Sequence, residues 1–154
     1  MLNHDTVKVL NDLVQTSEDG EKGFAEAAKD ATAPELKNIF HRRALDCATA
    51  AIELQALVKT FGAMPKDSGT IAGAAHRGWT KLKATIGDAN ISTLEDVESA
   101  EDKAKAIYTR ALDANLPPEV RSVVQRQQEG AVRNHDLMRD LRDNYKADKE
   151  GVAS

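Results

Sequence analysis

The chain has one cysteine, four prolines and an aromatic share of only 4% in 154 residues. With Cys47 alone, no disulfide can close within the chain and no cysteine-based zinc site can be built. So few aromatics, set against abundant alanine, argue against a sandwich or barrel and for helices packed closely through small side chains. Long apolar runs are also missing. No stretch approaches the ~20 apolar residues of a spanning helix, and the start MLNHDTVKVL lacks the basic segment and apolar run of a secretory signal. A soluble cytoplasmic protein with no membrane partner is the expectation. Neither sign of charge dominates: 21 basic and 25 acidic residues are interspersed, for a net charge of −4. That balance offers no footprint for nucleic acid and disfavours an anionic lipid surface. Arg121, Arg126, Arg133, Arg139 and Arg142 alternate with Asp and Glu, the pattern of a solvated helix face, with an anion-binding stripe as the lesser alternative.

Hydrophobic residues, at 41%, fall on helical seams. The clearest is residues 94–112, where Leu94, Val97, Glu101, Ala104, Tyr108 and Ala111 alternate steps of three and four on one face. Five of these six suit a packed interior. Glu101 needs a partner, a proton or a metal, because an unpaired buried charge is very costly.

An earlier seam, Val7, Leu10, Val14, Ser17, Glu21, Phe24, Ala28 and Ala31, marks a first helix capped by Asn3 or Asp5. Gly20 and Gly23 lie inside it, which implies either close approach of another backbone, a distortion, or a loop break near Asp19-Gly20. Thr32 and Glu35 are spaced as a capping box around Pro34 and open a second helix. Its seam is Leu36, Phe40, Arg43, Cys47, Ala50, Leu54, Leu57 and Phe61, closed by Gly62. The short link makes these helices antiparallel neighbours. In that hairpin Glu21 lies level with Arg43, and an inter-helix Glu21–Arg43 ion pair is predicted.

Residues 63–69 carry turn chemistry, and residues 70–86 read as a shorter helix with Trp79, Leu82 and Ile86 on its inner face. Those three could instead form a patch that docks another subunit. Ser92 with Glu95 reads as a second capping box at the start of the third long helix. Pro117-Pro118 ends that helix and begins a fourth, running to about Lys146. Its inward positions are Val120, Val124, Gln127 or Gln128, Ala131, Asn134 or His135, Met138, Leu141 and Tyr145. One all-α domain over 1–146 is therefore expected, with a polar tail over 147–154. A short, a long and a short connection give two hairpins joined by one long crossover that carries the extra helix.

GEKGF at 20–24, Glu53-Leu54-Gln55, GTIAGAAHRGW at 69–79, Glu101-Asp102 with Tyr108, and His135-Asp136 before Leu141-Arg142-Asp143 resemble a known family. It is the group of bacterial ferritin-like four-helix-bundle proteins known only as a domain of unknown function. The resemblance covers most of the chain and implies the ferritin-like fold, without implying an activity. More distant ferritin relatives hold two metal ions with Glu from two helices and Glu-x-x-His from two others. By that likeness Glu101, Glu98 and His135 are candidate metal ligands, for iron or manganese. The remaining helices depart from the pattern, with Ser17, with Cys47 and Ala50, and with Val132 at the matching positions. A full carboxylate set is thus absent, and any metal site would be degenerate or mononuclear.

The other candidates read as ordinary surface or packing groups. His135 suits a hydrogen-bonded histidine, His41 and His76 sit beside Arg42 and Arg77 facing water, and His4 lies at the fraying start. Cys47, mid-seam, suits inert packing. The run at 69–73 lacks the Gly-Lys-Ser/Thr ending of a phosphate loop. The expected function is non-enzymatic, through self-association (a homo-oligomer) or a protein partner, with no cofactor; a link to stress physiology rests on fold analogy alone. The alternative is a carboxylate-bridged metal protein of oxidase or iron-handling type.

Overall fold

The computed structural model describes residues 4–63 and 88–149, and among these the chain is entirely helical apart from turns. α1 is His4–Asp30, α2 Pro34–Thr60, α3 Ala89–Leu112 and α4 Pro118–Lys149. The helix expected over 70–86, with Trp79, Leu82, Ile86 and His76, lies outside the described residues. α4 continues past the expected end at Lys146.

Of the alternatives at Gly20 and Gly23, the loop break near Asp19-Gly20 does not occur: α1 runs unbroken through both glycines. A Cβ added at Gly20 would lie 2.8 Å from Cys47 Sγ, so the glycine is there to admit α2. Its helix-propensity cost is exchanged for close packing. At the end of α2, Gly62 has φ of 76°, the left-handed conformation expected of a helix-closing glycine.

Both expected capping boxes are replaced. Ala33 is the N-cap of α2 and makes no side-chain cap. The turn before it is held from a distance: Asn90 Oδ1 accepts from the amides of Thr32 (2.8 Å) and Ala33 (3.3 Å), and Asn90 Nδ2 donates to Thr32 Oγ1 at 3.0 Å. Glu35 accepts instead from the Tyr145 hydroxyl, at 2.7 Å. At α3 the cap is Asp88, whose carboxylate accepts from the amides of Asn90 and Ile91. Ser92 therefore lies inside the helix, and Glu95 pairs with Lys146 at 2.9 Å. Asp88 stands earlier in the chain and satisfies the same orphan amides, so the helix begins a turn sooner.

These contacts set the directions. α3 begins beside the α1–α2 turn, so it runs antiparallel to α1 and parallel to α2, and α2 ends where α3 does not begin. α4 returns antiparallel to α3, bringing Tyr145 back to the start of α2. Backbones approach closely between α1 and α2, α3 and α4, and α1 and α3. The remaining side of the square, between α2 and α4, is wider.

The core consists of two apolar clusters. One gathers Phe24, Leu36, Phe40, Leu94, Val97 and Met138 near the α1–α2 turn. The other gathers Leu10, Leu13, Leu54, Val58, Val120 and Val124 toward the opposite end. Each such side chain, fully buried, contributes ~1.5–3 kcal/mol. The polar seam positions fall between the two clusters.

Candidate functional site

Two polar layers cross the middle of the bundle, about two turns of small residues apart. In the first, Arg43 of α2 reaches past its own hairpin to Glu101 of α3, with Nε 3.1 Å from Oε2. Asn134 of α4 donates its amide to the same Oε2. Glu101 is 3% exposed and Arg43 16%. The guanidinium passes over the Phe24 ring, 5.7 Å from its centroid, where a cation is attracted to the π face.

Glu21–Arg43 pairing is thus corrected: the partner of Arg43 is Glu101. The expected level was right, since Gly20 touches Cys47 and Phe24 touches Arg43 across the hairpin. Azimuth decides the outcome. Arg43 points inward over Phe24, and a carboxylate 3% exposed has the greater need of a cation.

In the second layer, the Tyr108 hydroxyl donates to Gln127 Oε1 at 2.8 Å, and Gln127 Nε2 donates to Glu53 Oε1 at 2.8 Å. Arg126 bridges to the other oxygen of Glu53 across the α2–α4 side. Burial pushes the Tyr108 phenol up to about 12, against the opposing hydrogen bond from Ser17. Burial likewise pushes the Cys47 thiol up to about 12, against the nearby Arg43 charge. The thiol is therefore protonated at neutral pH and no nucleophile.

Both groups hold a proton more tightly folded than unfolded, so their contribution to stability is complete below their ordinary values of 9.0 and 10.0. It is lost as pH rises toward 12. Urea midpoints should accordingly fall through this alkaline window, and the fall should be shallower in a Cys47→Ala, Tyr108→Phe double variant. A decline of equal depth in that variant would remove these two groups as its cause.

The three candidate ligands divide between two places. Glu98 and His135 come together, with His135 Nε2 3.7 Å from Glu98 and 2.8 Å from Asp102. His135 Nδ1 lies 3.1 Å from Asp136, and this hydrogen bond holds the Asp136 carboxyl below its ordinary value. Arg142 bridges to Glu98. Glu101 stands apart with Arg43 and Asn134. Of the two inward alternatives on α4, Asn134 and His135 both turn inward, toward different carboxylates. Among the described residues no group of three or more His, Cys, Asp or Glu side chains is placed to hold a metal ion. Guanidinium groups sit on both Glu101 and Glu98, so the donor set does not fit a carboxylate-bridged pair of ions.

The arginines of α4 do more than face solvent. Arg121 donates to the carbonyls of Leu112 (2.9 Å) and Ala114 (2.7 Å), closing the end of α3, while Arg126 and Arg142 bridge to other helices. Sequence reasoning missed the second layer. Its signal was Tyr108 on an inward seam, since a buried hydroxyl must find a partner and Gln127 faces it.

Between the layers the helices carry small residues: Gly20, Ala50, Ala104, Gly130 and Ala131. They leave a cavity of about 590 Å³, walled by all four helices and partly open to solvent. No helix among the described residues is long and apolar enough to cross a membrane.

No curated protein matches the chain. The family described as Domain of unknown function (DUF2383) matches residues 5–114, from the start of α1 through the end of α3, and the protein belongs to that family.

Proposed function

We propose that this chain is a ferritin-like bundle that works without catalysis, by associating with a second copy of itself. The order of its helices supports the ferritin-like reading: two antiparallel hairpins with α2 and α3 parallel, as in bundles with a single long crossover. The carrying observation for association is the outer face of α2. Leu45 is 68% and Ile52 66% exposed, seven residues apart on the face opposite the buried Cys47, Ala51 and Leu54. Two such helices crossing antiparallel set Leu45 of each on Ile52 of the other, a self-complementary contact of two-fold symmetry. A cytoplasmic setting and a part in stress physiology are carried only by analogy with the fold.

Light scattering at high protein concentration tests this. The wild type should have the mass of a dimer, and Leu45→Glu with Ile52→Glu should have that of a monomer at unchanged helicity. A monomeric wild type would refute it. The same samples, prepared without chelator, address iron or manganese on Glu101, Glu98 and His135: near-stoichiometric metal lost in Glu101→Gln would restore that reading.

A further inference from the structure

We infer that the cavity between the two polar layers is a binding site for an uncharged amphiphile, with an apolar body and a hydrogen-bonding end. The inference does not rest on self-association, which uses Leu45 and Ile52, neither of which lines the cavity.

Size comes first. About 590 Å³ lies within the range of sites that enclose a drug-sized molecule. Spacing gives the shape. Glu101 and Tyr108 are seven residues apart on α3, and Gln127 and Asn134 seven apart on α4, which puts the layers ~10 Å from each other along the bundle. The walls between them are apolar, from Ala50, Ala104 and Ile107, with Leu137 at the rim 42% exposed.

The two ends differ in what they can still offer. At the Tyr108 end, hydroxyl, amide and carboxylate are engaged with one another. At the Glu101 end, both hydrogen bonds that the described residues make to its carboxylate fall on Oε2, from Arg43 Nε and Asn134. That leaves Glu101 Oε1 as an acceptor and the terminal amino groups of Arg43 as donors, all on side chains that line the cavity. A hydroxyl, amide or uncharged aryl amine on a ligand matches this pair.

Charge then selects against ions. The lining carries four basic residues (Arg43, Lys103, Arg126, Arg133) and four acidic ones (Asp19, Asp46, Glu53, Glu101). A charged ligand therefore meets no net opposite charge to offset its loss of water, whereas a neutral one gives up little.

N-phenyl-1-naphthylamine and 8-anilinonaphthalene-1-sulfonate test this as a pair, sharing an aromatic body and differing by a sulfonate. The neutral probe should brighten saturably at one per chain and bind at least tenfold tighter than the anionic one. Gly130→Trp fills the cavity at a site where an added Cβ meets nothing nearer than Arg133 at 3.7 Å. It should keep native helicity and lose at least tenfold in affinity for the neutral probe. Unchanged binding in that folded variant, no saturable binding by the wild type, or tighter binding of the sulfonate would each overturn the inference. If Gly130→Trp fails to fold, Ala104→Leu narrows the same space and is read by the same criterion.

Discussion

Arg43→Met is expected to destabilise the folded chain by ~3–5 kcal/mol, because it leaves a buried carboxylate without its cation. Glu101 is 3% exposed, so such water as reaches it through the cavity replaces little of the guanidinium's charge. Asn134 still donates to Oε2 but brings no charge. The cation–π contact with Phe24 goes as well. Against a typical total of ~5–15 kcal/mol, such a loss is large. Urea denaturation at neutral pH reads it directly. The double variant Arg43→Met, Glu101→Leu separates the charge from the packing, since an apolar pair of similar volume is neutral or stabilising where half an ion pair is not. It should regain most of the lost stability. A single variant within ~1 kcal/mol of wild type would mean that solvent screens the pair, as at an exposed salt bridge.

Gly20→Ala should reverse its usual sign. In a helix interior the change ordinarily stabilises by ~1 kcal/mol. Here the new methyl would stand 2.8 Å from Cys47 Sγ. Cys47 is 7% exposed, and its Sγ can move aside only by leaving its χ1 rotamer for another. Overpacking of this kind costs ~1–3 kcal/mol, so a net loss is expected. In a Cys47→Ala background the nearest atom becomes Cβ of residue 47, at 3.6 Å, an ordinary contact. Gly20→Ala should then stabilise. The two substitutions are coupled, and a cycle of four proteins measured by thermal melting exposes the coupling. Equal effects of Gly20→Ala in both backgrounds would disprove the contact.

Much of this architecture was legible because helical seams repeat. Leu94, Val97, Glu101, Tyr108 and Ala111 are all buried as their spacing requires, and Gly62 closes α2. Glu101 declared itself as the anomaly. Its partner was harder to read, because a hairpin register gives height along the axis but not the direction in which a long arginine leans. Height alone pairs Arg43 with Glu21; only the Phe24 ring beneath it and the deeper burial of Glu101 turn it inward. The caps failed for a related reason. Thr32, Ser92 and Asp88 are all capable cap residues, and the choice fell to a side chain distant in sequence, Asn90, and to whichever acceptor came first. Which α4 residues answer Glu101 and Tyr108 depends on how α4 is rotated about its axis, and Asn134, His135, Gln127 and Gln128 are near-equivalent by periodicity alone.

The wide side of the square gives the molecule an uneven response to its medium. Three of its flanks have close backbone contact, the α3–α4 flank adding the Arg142–Glu98 and Lys146–Glu95 bridges, whereas α2 and α4 meet through groups such as Glu53 and Arg126, which are 35% and 60% exposed. With no close backbone contact beside it, the exposed Glu53–Arg126 pair leaves the α2–α4 edge the more sensitive to screening by salt, while sulfate favours the apolar burial elsewhere.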